Sequence, residues 1–440
     1  MDDIFQLSIE LYDTKDKKVV WSDRWQEKWD NLPTIKGNLS DGLLKALDTK
    51  PKVEQKVETT NTEAYEYYLN AMYKWKKAGS GADHTEPEEE NIIRGLLKKS
   101  IALDNNLLCA KILLGSTYFM EDYGKGSLAL KARKRFEEVL KTAKKINDKL
   151  YIGIALRNIG LTYWRLNRKK SYDYALKALE IAKEIDNKEF IQKCYASIAT
   201  HKSFMGDYSE ALDYYLHALS ICKEIDNKRE IYWAQIQISS NYRRSGDFNN
   251  AIKTGKQTLR YLNKVNIESF YILQCTRFIA NYYSTMGKYV ESLDYLNQSY
   301  IQCQKSNNKP QMAHTCIEIA LCYYQLGKYN KSIENVRKLH LQESDGSDWL
   351  NGHLILSLIN KKQGKDIDEK IIDSFIKIDE NDTEYFDNYA IYQIIKDKSY
   401  LEIANKQIQE RLKQITKKFK AKFLSYPIPK AIVEEWEKVK

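Results

Sequence analysis

From about Tyr151 to Leu341 apolar and polar positions alternate with a helical period, in paired blocks that themselves repeat. The hexapeptide KEIDNK occurs at Lys183–Lys188 and again at Lys223–Lys228. A second landmark recurs as Gly206-Asp207-Tyr208, Gly246-Asp247-Phe248, Gly287-Lys288-Tyr289 and Gly327-Lys328-Tyr329, at spacings of 40, 41 and 40 residues. Tyr242, Tyr283 and Tyr323 each stand four residues before a glycine, and Ala211, Ala251, Ser292 and Ser332 stand five after. This spacing predicts a pair of amphipathic helices per unit. The glycine ends the first helix in a left-handed turn, and the small residue lets the second approach closely. One such hairpin cannot bury its apolar face alone, but stacked neighbours share a continuous core.

The Gly-x-aromatic turns, the preceding tyrosines and the small residues resemble the tetratricopeptide repeat family, in a longer form of about 40 residues. The resemblance is strong over 151–341 and weaker on both sides. It implies an all-α, right-handed α-solenoid of about seven hairpins, extending over residues 63–378. Asn167 replaces the turn glycine in one repeat, and a left-handed conformation is expected there too.

The flanks read differently. Phe5–Tyr12 alternates like a half-buried strand and Lys18–Trp29 begins as a second, with a turn between them. Leu39–Leu47 suits a short helix, which makes residues 1–48 a partial α/β appendage. Residues 49–62 are a polar linker, Glu63–Lys77 an aromatic-striped helix, and Ala78–Glu90 a mobile loop with the solvated run Glu88–Glu90. Beyond Leu341, Trp349–Lys362 and Ile367–Ile378 form a degenerate hairpin, and Tyr385–Ile395 and Tyr400–Phe419 another. Tyr426-Pro427-Ile428-Pro429 then stops the helix before a last one over Ala431–Lys440, so 379–440 reads as a helical cap. The strand Val19-Val20-Trp21-Ser22-Asp23-Arg24, the helix and linker after it, and Glu63-Ala64-Tyr65 look like the TolB-like module that precedes such repeats in bacterial proteins associated with class III adenylate cyclases. That resemblance implies, as the alternative function, the regulatory or sensor half of a cyclase-linked bacterial signalling protein, with a cyclase or other signalling domain as partner and no cyclase chemistry in this chain.

Composition narrows the class. Charged residues make up 30% of the 440, with 43% hydrophobic, 6 Pro and 18 Gly, as in a soluble helical protein. No apolar run approaches the roughly eighteen residues needed to cross a bilayer, and the start MDDIFQLSIELY is acidic where a signal peptide is basic. The seven cysteines, an odd number without a C-x-x-C, read as reduced core thiols, and a cytoplasmic location follows. The 32 tyrosines suit half-buried positions with a wet hydroxyl. The net charge of +10 is uneven: residues 1–75 hold 11 Lys and Arg against 14 Asp and Glu, a balance of −3, which leaves +13 on the remainder.

Counting back from each turn places a set of residues on the concave face lined by the first helices. Arg157, Leu161, Trp164 and Arg165 fall in one repeat and Lys193, Thr200 and Ser203 in the next. Trp233, Ser240, Arg243 and Arg244 follow, then Gln274, Arg277, Asn281 and Ser284, then His314, Leu321 and Tyr324. Five arginines and no acidic residue occupy these positions. Guanidinium forks bind carboxylates in pairs of hydrogen bonds, and interleaved Trp and Tyr offer apolar anchors. The candidate peptide-binding residues are therefore Arg157, Trp164, Arg165, Trp233, Arg243, Arg244, Arg277, Asn281, His314 and Tyr324. An acidic peptide or protein segment is the expected partner. Arg277 and Asn281 partly resemble the carboxylate clamp of chaperone-binding repeat proteins, but Ile317 and Leu321 at the equivalent places do not continue it.

Catalytic signatures are missing: the sequence has no G-x-x-x-x-G-K-[ST], G-x-G-x-x-G or H-E-x-x-H. Neither an enzyme activity nor a cofactor or metal is expected. The basic runs at Lys131–Phe136 and Lys417–Lys422 raise a nucleic-acid-associated regulator as a lesser alternative, with no recognition motif beside them.

Overall fold

Why KEIDNK recurs is answered by the turn it makes. In the computed structural model, which describes residues 4–13, 18–28, 59–77, 87–121, 127–265, 269–340, 347–367 and 383–440, the Asp of each copy is left-handed, Asp186 at φ 46° and Asp226 at φ 50°. The Asn that follows then caps the next helix. Asn187 Oδ1 accepts from Phe190 N–H at 2.9 Å, and Asn227 Oδ1 from Glu230 N–H at 3.2 Å. The same pair recurs in other residues: Asn147 (φ 55°) precedes the cap Asp148, and Asn307 (φ 49°) precedes the cap Asn308. Asn and Asp tolerate the left-handed region better than other residues with a Cβ, and their short side chains reach an orphan helix N–H.

The chain divides into two compact units, residues 1–194 and 195–440. The first holds an antiparallel hairpin, β1 (Ile4–Asp13) and β2 (Lys18–Lys28), with Leu7 opposite Trp25 and a bulge at Leu11/Tyr12. It continues with α1 (Thr62–Lys77), α2 (Pro87–Leu103), α3 (Leu108–Glu121), α4 (Ser127–Lys145), α5 (Lys149–Thr162) and α6 (Arg168–Glu184). The division falls within α7 (Lys188–Met205). The second unit contains α8 (Tyr208–Glu224), α9 (Lys228–Ser245), α10 (Phe248–Val265), α11 (Ser269–Thr285), α12 (Tyr289–Lys305), α13 (Lys309–Gln325), α14 (Tyr329–His340) and α15 (Ser347–Lys362). It ends with α16 (Tyr385–Ile395), α17 (Lys398–Gln414), α18 (Lys417–Leu424) and α19 (Pro427–Val439). The fold is all-α apart from the hairpin, a repeating stack of helical pairs.

Turns between first and second helices follow the expected chemistry. Gly206, Gly246, Gly287 and Gly327 have φ between 70° and 92°. After Gly246 the chain folds back so that Asp247 N–H donates to Tyr242 O at 2.8 Å and Gly246 N–H to Arg243 O at 3.1 Å. Lys288 to Tyr283 and Lys328 to Tyr323 repeat the bond, both at 2.9 Å, so the recurring tyrosine is the residue whose carbonyl closes the turn. Ala211, Ala251, Ser292 and Ser332 are all fully buried. The two serines also donate across the hairpin, Ser292 Oγ to Ala280 O at 2.8 Å and Ser332 Oγ to Ala320 O at 2.7 Å. A hydroxyl in the core is tolerated there because its partner is built in.

The first unit adds a device that the repeat landmarks do not encode. Arg94 of α2 donates from Nε to Thr117 Oγ1 and from Nη2 to Thr117 O, with its guanidinium 4.6 Å from the Tyr118 ring. Arg133 of α4 does the same to Thr162, 3.7 Å from the Tyr163 ring. Each arginine ties the end of a following helix to the one before it.

Several expectations change. Asn167 is extended (φ −155°) and not left-handed; its side chain caps α6 by accepting from Lys170 N–H at 2.9 Å, a use that Asn serves as well as Gly serves a turn. Glu88–Glu90 form the first turn of α2 and are not a loop, because Pro87 suits a helix start and carboxylates favour the positive end of the dipole; Glu90 pairs with Arg94 at 3.1 Å. The helix expected over Tyr400–Phe419 breaks at Ile415 (φ −75°, ψ 136°) into α17 and α18. Pro427 and Pro429 open α19. The expected helix 39–47, most of the linker 49–62, the loop 78–86 and residues 368–378 lie outside the described residues.

The terminal helices are placed by the core of the second unit. Leu401, Ala404, Ile408, Ile415, Phe423, Tyr426 and Ile432 share one buried cluster with Tyr232, Ile236, Phe248, Ile279 and Tyr282 of α9–α11. They fold back over the turns at Gly246 and Gly287, where the repeats present large apolar side chains that need cover. Among the described residues no helix is long and apolar enough to cross a membrane.

All seven cysteines are buried and unbridged. Burial pushes the thiols of Cys194 and Cys275 up to about 12, so the nucleophilic thiolate is scarce at neutral pH. Folded protein at pH 8 is expected to react with none of its thiols on the timescale of a free cysteine, and with all seven in denaturant. Rapid stoichiometric labelling of the folded state by a thiol-specific chromophore would contradict this packing.

Candidate functional site

The last turn of α9 carries Arg243 and Arg244 beside a helix C-terminus, which favours cations. The Arg244 guanidinium lies 3.4 Å from the centre of the Phe204 ring. Burial, and after it the charge of Arg243, pulls Arg244 down to about 10. A third guanidinium arrives from far along the chain. Arg411 of α17 donates from Nη2 to Arg243 O at 2.9 Å and from Nη1 to Gln414 Oε1 at 3.3 Å. Burial first, and Arg243 second, lower its pKa as well. Thr416 N–H donates to Ser245 O at 3.1 Å and Tyr208 Oη to Gln414 O at 2.6 Å, which fixes the seam between α17 and α9. Among the described residues, none of the three arginines has a carboxylate within ion-pair distance.

Two helices on, the cations are matched. Arg277 of α11 reaches Glu318 at 3.5 Å and donates to Gln311 Oε1. His314 of α13 sits 2.9 Å from Asp348 through Nδ1 and 3.8 Å from Glu318 through Nε2. The expected acid-free face is therefore corrected here: Glu318 and Asp348 lie among its cations. Counting residues on the first helices overlooked Glu318, four past His314, and Asp348 on α15.

The remaining candidates scatter. Trp233 is half-buried, edge-to-face with Tyr232 and Tyr271 at 5.4 and 6.4 Å. Asn281 is exposed. Tyr324 is buried beside Tyr329, and burial pushes its hydroxyl up to about 12, so it belongs to the core and not to an open face. In the first unit Arg157 donates from Nε to Lys193 O at 3.4 Å, Arg168 lies 6.0 Å from the Trp164 ring, and Arg165 is exposed. The structure thus joins Arg243 with Arg244 and, through Glu318, Arg277 with His314. No contact joins these two groups to each other among the described residues of the second unit. A cavity of about 230 Å³ lies between Tyr324, Tyr329, Lys362, Tyr389 and Pro427. Arg411 escaped sequence reading because helix faces were mapped within repeats and it lies beyond them; Phe204 falls next to the counted Ser203, and Tyr208 stands there only as a turn landmark.

Family models for the tetratricopeptide repeat match residues 192–264 and 313–339. The first match runs from within α7 to α10 and so includes the Arg243–Arg244 turn. Among solved structures the chain is similar to the apo form of RapI, at 13% identity over 86% of this chain and 99% of that one, with a TM-score of 0.56. It is also similar to PH0952 of Pyrococcus horikoshii, a signal transduction ATPase with numerous domains and a tetratricopeptide repeat sensor, at 16% identity, TM-score 0.52, over 82% of this chain and 55% of that one. At such identities the likeness is one of fold. No curated protein matches the sequence. None of these matches carries the cyclase association suggested by the residues before the repeats.

Proposed function

We propose that the chain is a non-catalytic tetratricopeptide repeat scaffold that binds an acidic peptide or protein segment along its first helices, with Arg243 and Arg244 as the principal contacts. One observation carries this reading. The guanidinium groups of Arg243 and Arg244 have no carboxylate partner among the described residues, whereas Arg277 and His314 do. Half-buried arginine with unused N–H donors is the arrangement that recognises carboxylates, and Trp233, eleven residues before Arg244 on the same helix, offers an apolar contact. Arg277, Asn281 and His314 belong to the same proposal as further contacts in the second unit, Arg157, Trp164 and Arg165 as contacts on the first unit, and Tyr324 contributes only from the core.

The test uses fluorescent peptides of matched length, Asp/Glu-rich or with those residues changed to Asn/Gln, followed by anisotropy. The acidic peptides are expected to bind and to weaken as salt rises. The Arg243→Glu, Arg244→Glu double variant, at unchanged helicity, is expected to lose at least about tenfold in affinity, or about 1.4 kcal/mol. Equal binding of acidic and amidated peptides, or equal binding by the double variant, would sink the proposal.

A further inference from the structure

We infer that Arg243, Arg244 and Arg411 form an oxyanion site split between the repeats and the terminal helices, so that binding a carboxylate or phosphate group and docking α17–α19 stabilise each other. The inference rests on the reading of α9 as a ligand-facing helix and adds a ligand class and a consequence for the fold.

Three observations converge. First, the donors are unspent. A guanidinium has five N–H groups, yet the side chains of Arg243 and Arg244 donate to no other described residue, and Arg411 spends its terminal nitrogens only on Arg243 O and Gln414. Arg244 is covered on one face by Phe204, which leaves its edge to donate. Second, the charge has no internal answer. Glu384 is the weakest of the influences on Arg411 and makes no ion pair with it. Arginine does not shed its proton to escape burial as lysine does, so the cost of clustering falls to a counter-ion. Tyr208 and Tyr385 border the cluster, and burial pushes the Tyr385 hydroxyl up to about 12, so it remains a hydrogen-bond donor at neutral pH. Third, the cluster straddles a seam. Arg243 and Arg411 are 168 residues apart, on separate helices held together by Thr416 N–H to Ser245 O and Tyr208 Oη to Gln414 O. Without an anion, like charges face each other across that seam. An oxyanion that accepts from both sides turns the repulsion into a bridge, and linkage requires the stabilisation to be mutual.

The shared chemistry is a group with two or more anionic oxygens that accept bidentate bonds. Its source is either a carboxylate of an acidic peptide or free phosphate. Backbone amide hydrogen exchange on the full chain tests the proposal, with inorganic phosphate, an Asp/Glu-rich peptide, or chloride at matched ionic strength. At about ten times its Kd, the ligand is expected to slow exchange in α17–α19 by about tenfold relative to chloride. Arg411→Gln removes one of the facing charges, so its α17–α19 are expected to stay protected in chloride and to gain nothing from either ligand. Protection by phosphate alone would assign the site to free phosphate and would stand even if no acidic peptide bound. A peptide that binds without changing exchange in α17–α19 would overturn the coupling while leaving the proposed function intact. Equal ligand protection in Arg411→Gln, or no ligand effect in the native sequence, would also overturn it.

Discussion

Gly246→Ala is expected to destabilise the second unit by about 3 kcal/mol, while Gly206→Ala, at the corresponding turn one repeat earlier, costs about 1 kcal/mol. Both glycines are left-handed, at φ 89° and 92°, so both variants strain the backbone to a similar degree. They differ in what a Cβ would meet. At Gly206 nothing lies within 4 Å, but at Gly246 it would stand 2.7 Å from Ile415 Cγ2 and 2.9 Å from Phe419 Cβ. Neither neighbour can yield easily, because Ile415 is buried and its residue is the break between α17 and α18. Chemical denaturation of the two variants side by side separates strain from collision. Equal losses would mean that the terminal helices do not pack on this turn in solution.

Ending the chain after Lys396 is expected to lower the melting temperature of the second unit by more than about 10 °C and to expose dye-binding apolar surface. The deletion removes Leu401, Ile408, Ile415, Phe423, Tyr426 and Ile432, each no more than 5% exposed. Burying a large apolar side chain contributes about 1.5–3 kcal/mol, so six of them represent on the order of 10 kcal/mol. Tyr232, Phe248 and Tyr282, which they cover, would then face water. Calorimetry on the shortened chain decides the matter: an unchanged transition without dye binding would show that α17–α19 are an appendage and not a part of the core.

What was legible in the sequence follows from where its physics is local. The turn glycines, the tyrosines before them and the small residues after them report constraints within one hairpin, so spacing alone located the helices of α7–α14. The Asp-Asn turns were visible as the repeated KEIDNK, yet their role emerged only from the left-handed Asp186 and Asp226 and the capping Asn187 and Asn227. Asn167 shows the limit of analogy, since the same residue type serves either as a turn or as a cap according to its backbone angles. The candidate site was less accessible. Arg243 and Arg244 could be read from helical phase, but their companion Arg411 comes from a helix without a repeat signature. The partners of Arg277 and His314 lie on neighbouring helices, where pairing depends on packing.

The bond between Tyr208 and Gln414 spans 206 residues, and that between Arg411 and Arg243 spans 168. A ribosome adding about 5–20 residues per second therefore finishes α8–α11 many seconds before it makes the segment that covers their turns. The nascent chain carries an uncovered ridge that includes Phe248 and Tyr282 until α17–α19 emerge from the exit tunnel. Synthesis that stalls before α17–α19 emerge leaves that ridge bare, and such stalled chains are expected clients of chaperones.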